Sequence, residues 1–345
     1  MAGITIKQIA EKAKVSVGTV DRVLHNRGEV AEATKKRILA IAAEGNYKTN
    51  VFARSLKLNT SFKLAVILPN DNEYWQMQNE GILNAAEQYS SLGVSVEFFT
   101  FNRHDRNSFI SESFKAMESS PQGIIMAPLL HEDALTICTN LKEIGIPFVL
   151  VDSNLAGTKP LAFIGQDSQQ SGFLAAKLLN FGHENGHKCM IIRDTHFDSL
   201  NKTLDERVDG LKKYYAANKF SPDLIEEVEL KKTEGELPAK LNVYFDNNEP
   251  IHLFVPNSRA HEIAKRIDII GKKKLCRILG YDLIKENIDC LNDGLIDFII
   301  HQNPKIQGSL AVEALYKSLI LNTDVSQHQF MQLDIITKEN LMYGL

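Results

Sequence analysis

The stretch TIKQIAEKAKVSVGTVDRVLHNRG, residues 5–28, decides the architecture of the N-terminal part of the chain. Thr5 and Gln8 have the spacing of a capping box, which predicts a helix that begins after Thr5. The apolar residues that follow repeat at helical spacing as far as Val15, and Ser16 can cap a second helix. The side chains expected to face inward from this second helix are Val20, Val23 and Leu24.

A third helical segment, EATKKRILAIAAEGN, covers residues 32–46. Its spacing places Ile38, Leu39 and Ala42 on the inner face, and Gly45 is a typical C-terminal stop. Two short helices joined by a tight turn and closed by a third helix form a helix-turn-helix unit. The sequence therefore predicts a small helical head at the start of the chain.

The charge of this head differs from that of the rest of the chain. Residues 1–61 contain 11 Lys and Arg and 5 Asp and Glu, a balance of +6. Because the whole chain carries −4, the remainder carries −10. A basic head on an acidic body indicates that only the head meets a polyanion, although a pair of solvated basic helices would have the same charge.

Composition places the chain among ordinary globular proteins. Its 345 residues are 44% apolar and 24% charged, enough for two or three compact units. No apolar run approaches the ~20 residues of a membrane helix, and no secretory signal is visible, so we expect a cytoplasmic protein without membrane association. The cysteines lack C-x-x-C spacing, which predicts buried free thiols and no metal site. They are Cys138, Cys189, Cys276 and Cys290.

The head resembles the DNA-binding domain of the lactose-repressor (LacI/GalR) family of bacterial transcription regulators. The similarity covers the opening stretch and continues through EGNYKTNVFARSLKLN, residues 44–59. It implies a DNA-binding domain at 1–58, with a hinge helix at about 50–57 that folds when a dimer binds its operator. The expected partners are therefore double-stranded operator DNA and a second copy of the chain in a homodimer.

The resemblance also implies roles for individual residues. Val17 and Gly18 occupy base-reading positions, Arg22 meets a base edge in the major groove, and Leu56 inserts into the minor groove and kinks the duplex. The full set of implied DNA-contacting residues is Thr5, Ser16, Val17, Gly18, Thr19, Asp21, Arg22, His25, Asn26, Asn50, Ala53, Arg54 and Leu56.

Three residues depart from the family pattern. Lys14 replaces a frequent turn glycine, Thr49 replaces a frequent proline, and Asp21 replaces a common serine. A negative charge at position 21 is unexpected on a helix that approaches phosphates. Asp21 could orient a nearby cation or His25 at i+4, accept a bond from a cytosine amino group, or reduce non-specific affinity by charge repulsion. The sequence leaves these three hypotheses open.

From Lys63 onward, about nine short apolar runs alternate with helical segments. Repeated strand–helix units of this kind predict an α/β fold with doubly wound parallel sheets, and their number fits two linked lobes. Most runs end in a polar residue at the strand end, where ligands bind in such sheets, which predicts a cleft for a small polar molecule. A strand-end aspartate can also be only a helix cap. These residues are Asn72, Asp152, Asp167, Asp194, Asn257, Asp282 and Gln302.

Residues 62–345 are similar to the periplasmic-binding-protein type I fold, in its ribose-binding-protein branch, which is the effector domain of the same family. The resemblance implies that the chain crosses between two lobes three times. Lobe one is expected at about 62–160 and 293–322, and lobe two at about 161–292 and 323–345. The C-terminal residues show no heptad repeat of the kind that makes some relatives tetrameric, which favours a dimer.

The resemblance implies that Tyr74 and Trp75 flank a sugar ring, with core packing as the alternative role for Trp75. Carboxylate, amide and guanidinium groups can bond neighbouring hydroxyls, which suits a neutral hexose, pentose or polyol. A sugar acid is the alternative, since Arg207 could hold a carboxylate. Arg193 and Asp194, at another strand end, are further candidates. The implied effector-binding residues are Asn72, Tyr74, Trp75, Asp152, Arg207, Asn257, Asp282 and Gln302.

These expectations describe a sequence-specific DNA-binding transcriptional regulator, a repressor, whose operator affinity is controlled by a small-molecule effector. A transport-type sugar-binding protein would have the same body but no basic helical head. An enzyme is the third class, but no G-x-G-x-x-G, G-x-x-x-x-G-K-[ST], H-E-x-x-H or G-x-S-x-G motif occurs. The ten histidines are dispersed, and solvation or helix capping explains them. The sequence therefore predicts no catalysis, no metal and no cofactor.

Overall fold

The computed structural model describes these parts of the chain: residues 4–24, 28–45, 61–183, 185–193, 202–229 and 239–343. They belong to two compact units, Met1–Thr60 and Ser61–Leu345. No helix within the described parts has both the length and the apolar character needed to cross a lipid bilayer.

The head consists of three helices, and the predicted caps are present. They are α1 (Ile6–Ala13), α2 (Val17–Leu24) and α3 (Glu32–Glu44). Thr5 and Gln8 form the capping box: the Thr5 hydroxyl accepts from the Gln8 N–H at 3.4 Å, and the Gln8 side chain accepts from the Thr5 N–H at 2.9 Å. Gly45 is the C-cap of α3. The buried core residues are Ile9, Ala10, Ala13, Val20, Val23, Ile38 and Ala42.

One side chain of the head is exposed although the sequence predicts that it faces inward. Leu39 is 44% exposed, so the prediction that it faces inward is wrong. The inner stripe of α3 runs through Ile38 and Ala42, which lie one turn apart, and Leu39 is rotated by about 100° from that stripe. Leu24 is half-buried and packs against the edge of the core.

The turn between α1 and α2 contains Lys14 in the left-handed conformation, with φ 53° and ψ 47°. Its backbone N–H donates to the Glu11 carbonyl oxygen at 3.2 Å. The left-handed conformation costs a non-glycine residue about 1 kcal/mol. The turn therefore accepts a lysine, where the family that the head resembles often has glycine, at a small cost in stability.

The body contains twelve described strands and nine described α-helices. The strands are β1 (Phe62–Pro69), β2 (Val94–Phe101), β3 (Gly123–Met126), β4 (Phe148–Val151), β5 (Ala162–Gly165), β6 (Cys189–Arg193), β7 (Ile225–Glu229), β8 (Ile251–Phe254), β9 (Cys276–Tyr281), β10 (Phe298–His301), β11 (His328–Phe330) and β12 (Asp334–Ile336). The helices are α4 (Glu73–Gln88), α5 (Arg106–Glu118), α6 (His131–Glu143), α7 (Ser168–Leu179), α8 (Lys202–Ala217), α9 (Ala239–Asp246), α10 (Ala260–Ile269), α11 (Lys285–Asn292) and α12 (Pro304–Tyr316).

The strands form two six-stranded sheets, one in each lobe. The first has the order β11-β5-β4-β3-β1-β2 and is parallel throughout. The second has the order β12-β10-β9-β8-β6-β7 and is parallel except for β12. The central strands are buried because helices cover both faces, which confirms the predicted doubly wound architecture. All four cysteines are buried and free, as predicted.

The chain crosses between the lobes at other positions than the sequence predicted. β5 pairs with β4, so lobe one continues to Gly165 rather than ending near residue 160. β10 pairs with β9, so the chain returns to lobe one after His301 and not at residue 293. β11 pairs with β5, so the last crossing follows Phe330 rather than residue 322. An apolar run predicts a strand but not the sheet that receives it, which explains the first two differences, and the third arises because β11 has no apolar run that predicts it.

Gln166 joins the three segments that cross between the lobes. It directly follows β5 and is 2% exposed. Its Nε2 donates to the His301 carbonyl oxygen at 2.9 Å and to the Gln332 carbonyl oxygen at 2.8 Å. One side chain of the first crossing therefore holds the second and third crossings beside it.

Helices α7 and α8 are in direct backbone contact in lobe two. A Cβ at Gly172 would overlap the backbone carbonyl of Arg207, and a Cβ at Gly210 would overlap the carbonyl of Gln169. Only glycine permits an approach this close. Gly81 has the same role between α4 and α12 in lobe one. The contact in lobe two fixes the position of α8 and of the side chains that α8 carries.

Candidate functional site

A polar cavity lies between the two lobes at the carboxyl ends of their strands. Lobe one contributes residues that follow β1 and β4, and lobe two contributes residues that follow β8, β9 and β10. The free volume is about 60 Å³. The structure brings all eight residues of the predicted effector set to this interlobe cavity: Asn72, Tyr74, Trp75, Asp152, Arg207, Asn257, Asp282 and Gln302.

Six further residues line the interlobe cavity that the sequence did not single out. Ser258 and Arg259 directly follow Asn257, so the same strand-end signal points to them. Arg103 lies two residues after the end of β2, so the strand-end signal points to it as well. Thr203 lies one turn before Arg207 on α8, and helical spacing predicts that both share a face. The six are Arg103, Leu129, Thr203, Leu204, Ser258 and Arg259.

Of the two additional candidates at the end of β6, only Arg193 belongs to the described residues, and it does not join this wall. The Arg193 guanidinium donates to Asp205 Oδ1 at 2.8 Å and lies 3.7 Å from Glu227, so it belongs to a surface ion-pair group. Arg193 is not among the residues that line the cavity. Asp194 lies outside the described residues.

On the side of lobe one, the buried carboxylate of Asp152 is held from two directions. The Tyr74 hydroxyl donates to Oδ1 at 2.6 Å, and the Ser153 hydroxyl donates to Oδ2 at 3.1 Å. Asp152 has φ 67°, and its N–H donates to the carbonyl of Ile164 and to Oε1 of Gln307. Burial raises the pKa of Asp152, while the bond from Tyr74 opposes the rise. The carboxylate is therefore fixed before any ligand arrives.

On the side of lobe two, Arg207 is the centre of a buried network. Its Nη1 donates to the Pro256 carbonyl oxygen at 2.7 Å, and its Nη2 donates to Gln302 Oε1 at 2.6 Å. The guanidinium carbon lies 3.8 Å from the centre of the Tyr281 ring, a cation–π contact. Gln302 extends the network to Asp282, because its Nε2 donates to both carboxylate oxygens of Asp282 at 3.0 and 3.1 Å.

Asp282 is a second buried acid on the wall of the interlobe cavity, and its pKa is strongly raised. Burial raises its pKa to about 7, the nearby Asp152 carboxylate adds to the rise, and Arg207 and Gln302 oppose it. Asp282 also has a positive φ, 69°, and its N–H donates to the Ile300 carbonyl at 3.1 Å. This backbone geometry repeats that of Asp152 in the other lobe.

The raised pKa makes stability depend on pH. The folded protein holds a proton on Asp282 up to about pH 7, whereas the unfolded chain releases it near pH 4. The free energy of unfolding should therefore fall as pH rises from 4 to 7, by up to about 4 kcal/mol. We expect Asp282→Asn to remove this slope and to be more stable than the parent at pH 8. Urea unfolding of both proteins at several pH values measures this change in the free energy of unfolding.

Asp293→Asn, at an exposed aspartate of the same lobe, is the control for this experiment and should leave the pH slope unchanged. An equal slope in the parent and in Asp282→Asn would contradict the assignment of the proton to Asp282.

Trp75 and Asn72 each have two roles at the wall of the interlobe cavity. Trp75 is 3% exposed, packs edge-on against Tyr74 with 4.8 Å between ring centres, and belongs to the apolar core of lobe one. Trp75 therefore has the core-packing role and also lines the cavity, while its contact with a sugar ring stays a prediction. Asn72 lines the cavity, but its Oδ1 also accepts from the Trp75 N–H at 3.3 Å and caps α4. Asn257 similarly accepts from the Arg259 N–H at 2.9 Å.

In the head, α2 presents an exposed edge at its N-terminal half. Ser16 accepts from the Thr19 N–H at 3.1 Å and so caps the helix as predicted. Val17, Gly18 and Arg22 are exposed, and the Arg22 Nε donates to the Gly18 carbonyl at 3.3 Å. Thr5 is exposed, whereas Thr19 and Asp21 are half-buried. The other predicted DNA-contacting residues lie outside the described residues, as does the predicted hinge helix: His25, Asn26, Asn50, Ala53, Arg54 and Leu56.

Comparison with known families matches both units. The family of bacterial regulatory proteins named after lacI matches residues 5–50, and the periplasmic binding protein domain matches residues 64–322. The HTH-type transcriptional repressor PurR of Aliivibrio fischeri (strain MJ11) is 27% identical over 349 residues, which cover 99% of each chain. The sucrose operon repressor of Klebsiella pneumoniae is 43% identical over 139 residues, 38% of this chain and 39% of its own.

Solved structures resemble the body. A crystal structure from Bacteroides fragilis assigned to the LacI transcriptional regulators is 29% identical, with a TM-score of 0.73 over 82% of this chain and 99% of that one. An ABC transporter solute binding protein from Bacillus halodurans C-125 with bound myo-inositol shares the fold, at 18% identity and a TM-score of 0.69 over 82% of this chain and 97% of its own. The chain thus belongs to the lacI family of bacterial regulatory proteins, with a helix-turn-helix head and a periplasmic-binding-protein body.

Proposed function

We propose that the protein is a transcriptional repressor whose affinity for operator DNA is controlled by a small sugar or polyol in the interlobe cavity. The observation that carries this proposal is the position of Asp152 and Asp282, one from each lobe, on the wall of one polar cavity. A ligand with several hydroxyls can donate to the carboxylates of both lobes at once. Its binding then favours one relative orientation of the lobes.

The charges of the interlobe cavity favour a neutral ligand. The buried carboxylate of Asp152 would repel an acidic group, and the guanidinium of Arg207 already donates to Gln302 and Pro256. The names of relatives agree, since they include a sucrose operon repressor and a binding protein that holds myo-inositol. A sugar acid is the second candidate, supported by the three guanidinium groups on the wall, those of Arg103, Arg207 and Arg259.

The head supports DNA binding through α2. Its exposed edge carries the apolar Val17, the backbone of Gly18 and the cation of Arg22, which suit contacts to base edges in a major groove. We propose that a homodimer places two such helices in adjacent grooves of a pseudo-palindromic operator, about one helical turn apart. The predicted hinge at about 50–57 would connect each head to its body.

The DNA half of the proposal predicts strong salt dependence. An operator is first selected from random duplexes with the purified protein, and its affinity is then measured by fluorescence anisotropy. Raising salt from about 50 to about 200 mM should weaken binding by ~10³-fold or more. Arg22→Ala should weaken selected DNA by about 5- to 150-fold, corresponding to ~1–3 kcal/mol, and scrambled DNA much less. Arg106→Ala, at an exposed arginine of the body, is the matched control.

The effector half is tested on the same operator. Sugars, polyols and sugar acids are first screened for a rise in melting temperature, and each hit is added to the anisotropy assay. A true effector should change operator affinity by about 5- to 150-fold, and operator DNA should change its affinity by the same factor. Salt-sensitive DNA binding that no hit alters would remove effector control and leave only the DNA half.

Asp21→Ser, measured on the same operator, tests the role of Asp21. It looks for a loss of affinity confined to one base pair, which only the cytosine hypothesis predicts.

A further inference from the structure

Three histidines converge in lobe two, away from the interlobe cavity. His183 and His187 belong to the segment between α7 and β6, and His252 is the second residue of β8. The ring centres are 3.9 Å apart for His183 and His187, 5.0 Å for His187 and His252, and 5.4 Å for His183 and His252. One nitrogen of each ring lies within 4.8 Å of those of the other two. We refer to these three residues as the histidine cluster.

The position of the histidine cluster separates it from the effector site. His252 pairs with Cys189, the first residue of β6, so the cluster lies at the amino ends of the strands. The interlobe cavity lies at their carboxyl ends. The cluster therefore has no part in the proposed effector binding, and its role can be tested independently.

One ring nitrogen of the cluster lacks a hydrogen-bond partner. His252 is 3% exposed, and its Nδ1 is buried without any partner in the described part of the chain. Buried polar atoms are nearly always satisfied, so an unpaired imidazole nitrogen beside two other imidazoles points to a ligand that all three share. His183 and His187 are half-buried, so the cluster is accessible from solvent.

The backbone around the cluster is held in place. The His187 N–H donates to Asn180 Oδ1 at 3.0 Å, and the Tyr215 hydroxyl donates to the His187 carbonyl at 2.9 Å. Each of the two loop histidines follows a glycine with positive φ, 85° at Gly182 and 72° at Gly186. These glycines allow the sharp turns that direct both imidazoles toward His252.

The chemistry of three imidazoles selects a class of ligand. Neutral imidazole binds borderline divalent transition metals such as Zn²⁺, whereas Mg²⁺ and Ca²⁺ require oxygen ligands. We propose that His183, His187 and His252 bind one divalent transition-metal ion, with Zn²⁺ as the representative ion and water as its fourth ligand. Ligand nitrogens of a tetrahedral zinc site are ~3.3 Å apart. Side-chain rotations that shorten the nitrogen–nitrogen distances by ~1.5 Å or less therefore complete the geometry.

The charges around the cluster set the expected affinity. Burial lowers the pKa of all three histidines, that of His252 to about 3. The Arg277 guanidinium lowers each of these pKa values too, and it is held by the carbonyls of Leu179 and Phe181. Its positive charge opposes a cation, so binding should be weaker than in a zinc site without such a neighbour. A bound ion would join the loop after α7 to β8.

The test is calorimetric titration of the full-length, untagged protein with ZnCl₂, repeated with CoCl₂ to observe the visible d–d absorption of a nitrogen-ligated site. We expect one ion per chain and a rise in melting temperature with added metal. His187→Gln should lower the affinity for Zn²⁺ by more than about tenfold, since even loss of a residue that only supports a zinc ligand costs about 10- to 100-fold. His131→Gln, at a half-buried histidine on α6, is the matched control and should bind as the parent does.

A second variant guards against loss of folding. His252→Gln is also made, but it changes a fully buried residue and its loss of binding could not be separated from loss of folding. His183→Gln, at a half-buried position, is therefore measured as well, and circular dichroism checks that each variant is folded. Equal Zn²⁺ binding by the parent and by folded His183→Gln and His187→Gln would overturn the proposal. Absence of saturable binding to the parent would overturn it as well. Neither result bears on the proposed effector, because the interlobe cavity contains none of these residues.

Discussion

Arg207→Met is expected to abolish the response to the effector and to lower the free energy of unfolding by about 3–5 kcal/mol. The side chain is 3% exposed, and its removal leaves the Gln302 oxygen and the Pro256 carbonyl without their donor. It also removes the cation that lowers the pKa of Asp282. An effector that raises the melting temperature of the parent should have no measurable effect on this variant, which corresponds to an affinity loss of ~100-fold or more.

A double variant separates the loss of stability from the loss of binding. Arg207→Met combined with Asp282→Asn also removes the buried acid that the single variant leaves without its neighbouring cation. We expect it to recover most of the lost stability in urea unfolding at pH 8 but none of the effector response. Full effector affinity in either variant would contradict the placement of Arg207 at the binding site.

Gly172→Ala should have a large effect on stability although it lies outside the interlobe cavity. The new methyl group would overlap the backbone carbonyl of Arg207, and backbone atoms cannot move aside as a side chain can. Helices α7 and α8 would have to separate, which we expect to cost about 3 kcal/mol or more. Because α8 carries Arg207, the affinity for the effector should fall together with the stability. Urea unfolding and the thermal-shift assay measure the two effects.

Gly271→Ala is the control for this change. Gly271 follows α10 in the same lobe, has φ 69°, and has no atom within 4 Å of the position of an added Cβ. Its replacement should cost only the backbone strain, about 1 kcal/mol. If both alanine variants lost the same stability, the close contact between α7 and α8 would not be the cause.

The polar wall of the interlobe cavity could be predicted because its signal is local. A residue that ends a parallel strand reaches the same edge as the ends of its neighbours, so Asp152 and Asp282 were predictable without knowing the strand order. The same holds for the head, where the capping box at Thr5 depends on residues only three apart. Identification of the lacI family from residues 5–59 rested on an equally local match.

Features that depend on neighbours distant in sequence could not be predicted. β11 is three residues long and mostly exposed, so no apolar run predicts it, and its pairing with β5 changes the limits of lobe one. The ring of Tyr281 beneath Arg207 and the approach of His252 to His183 require the positions of strands and helices in space. Leu39 shows that a local prediction also has a limit. An error of one residue in the assigned helical phase is enough to place an exposed side chain on the inner face.

Gln166 has a consequence for how the body can move. Its carboxamide nitrogen fixes the spacing of the backbone segments at His301 and Gln332 relative to its own. Because these two hydrogen bonds join the three crossing segments, we expect the lobes to rotate about one common axis rather than to bend at each segment separately. Such a restriction reduces the motion to a single coordinate and favours two discrete arrangements of the lobes. For the repressor proposed above, we therefore expect a bound ligand to act on the lobes through this one rotation.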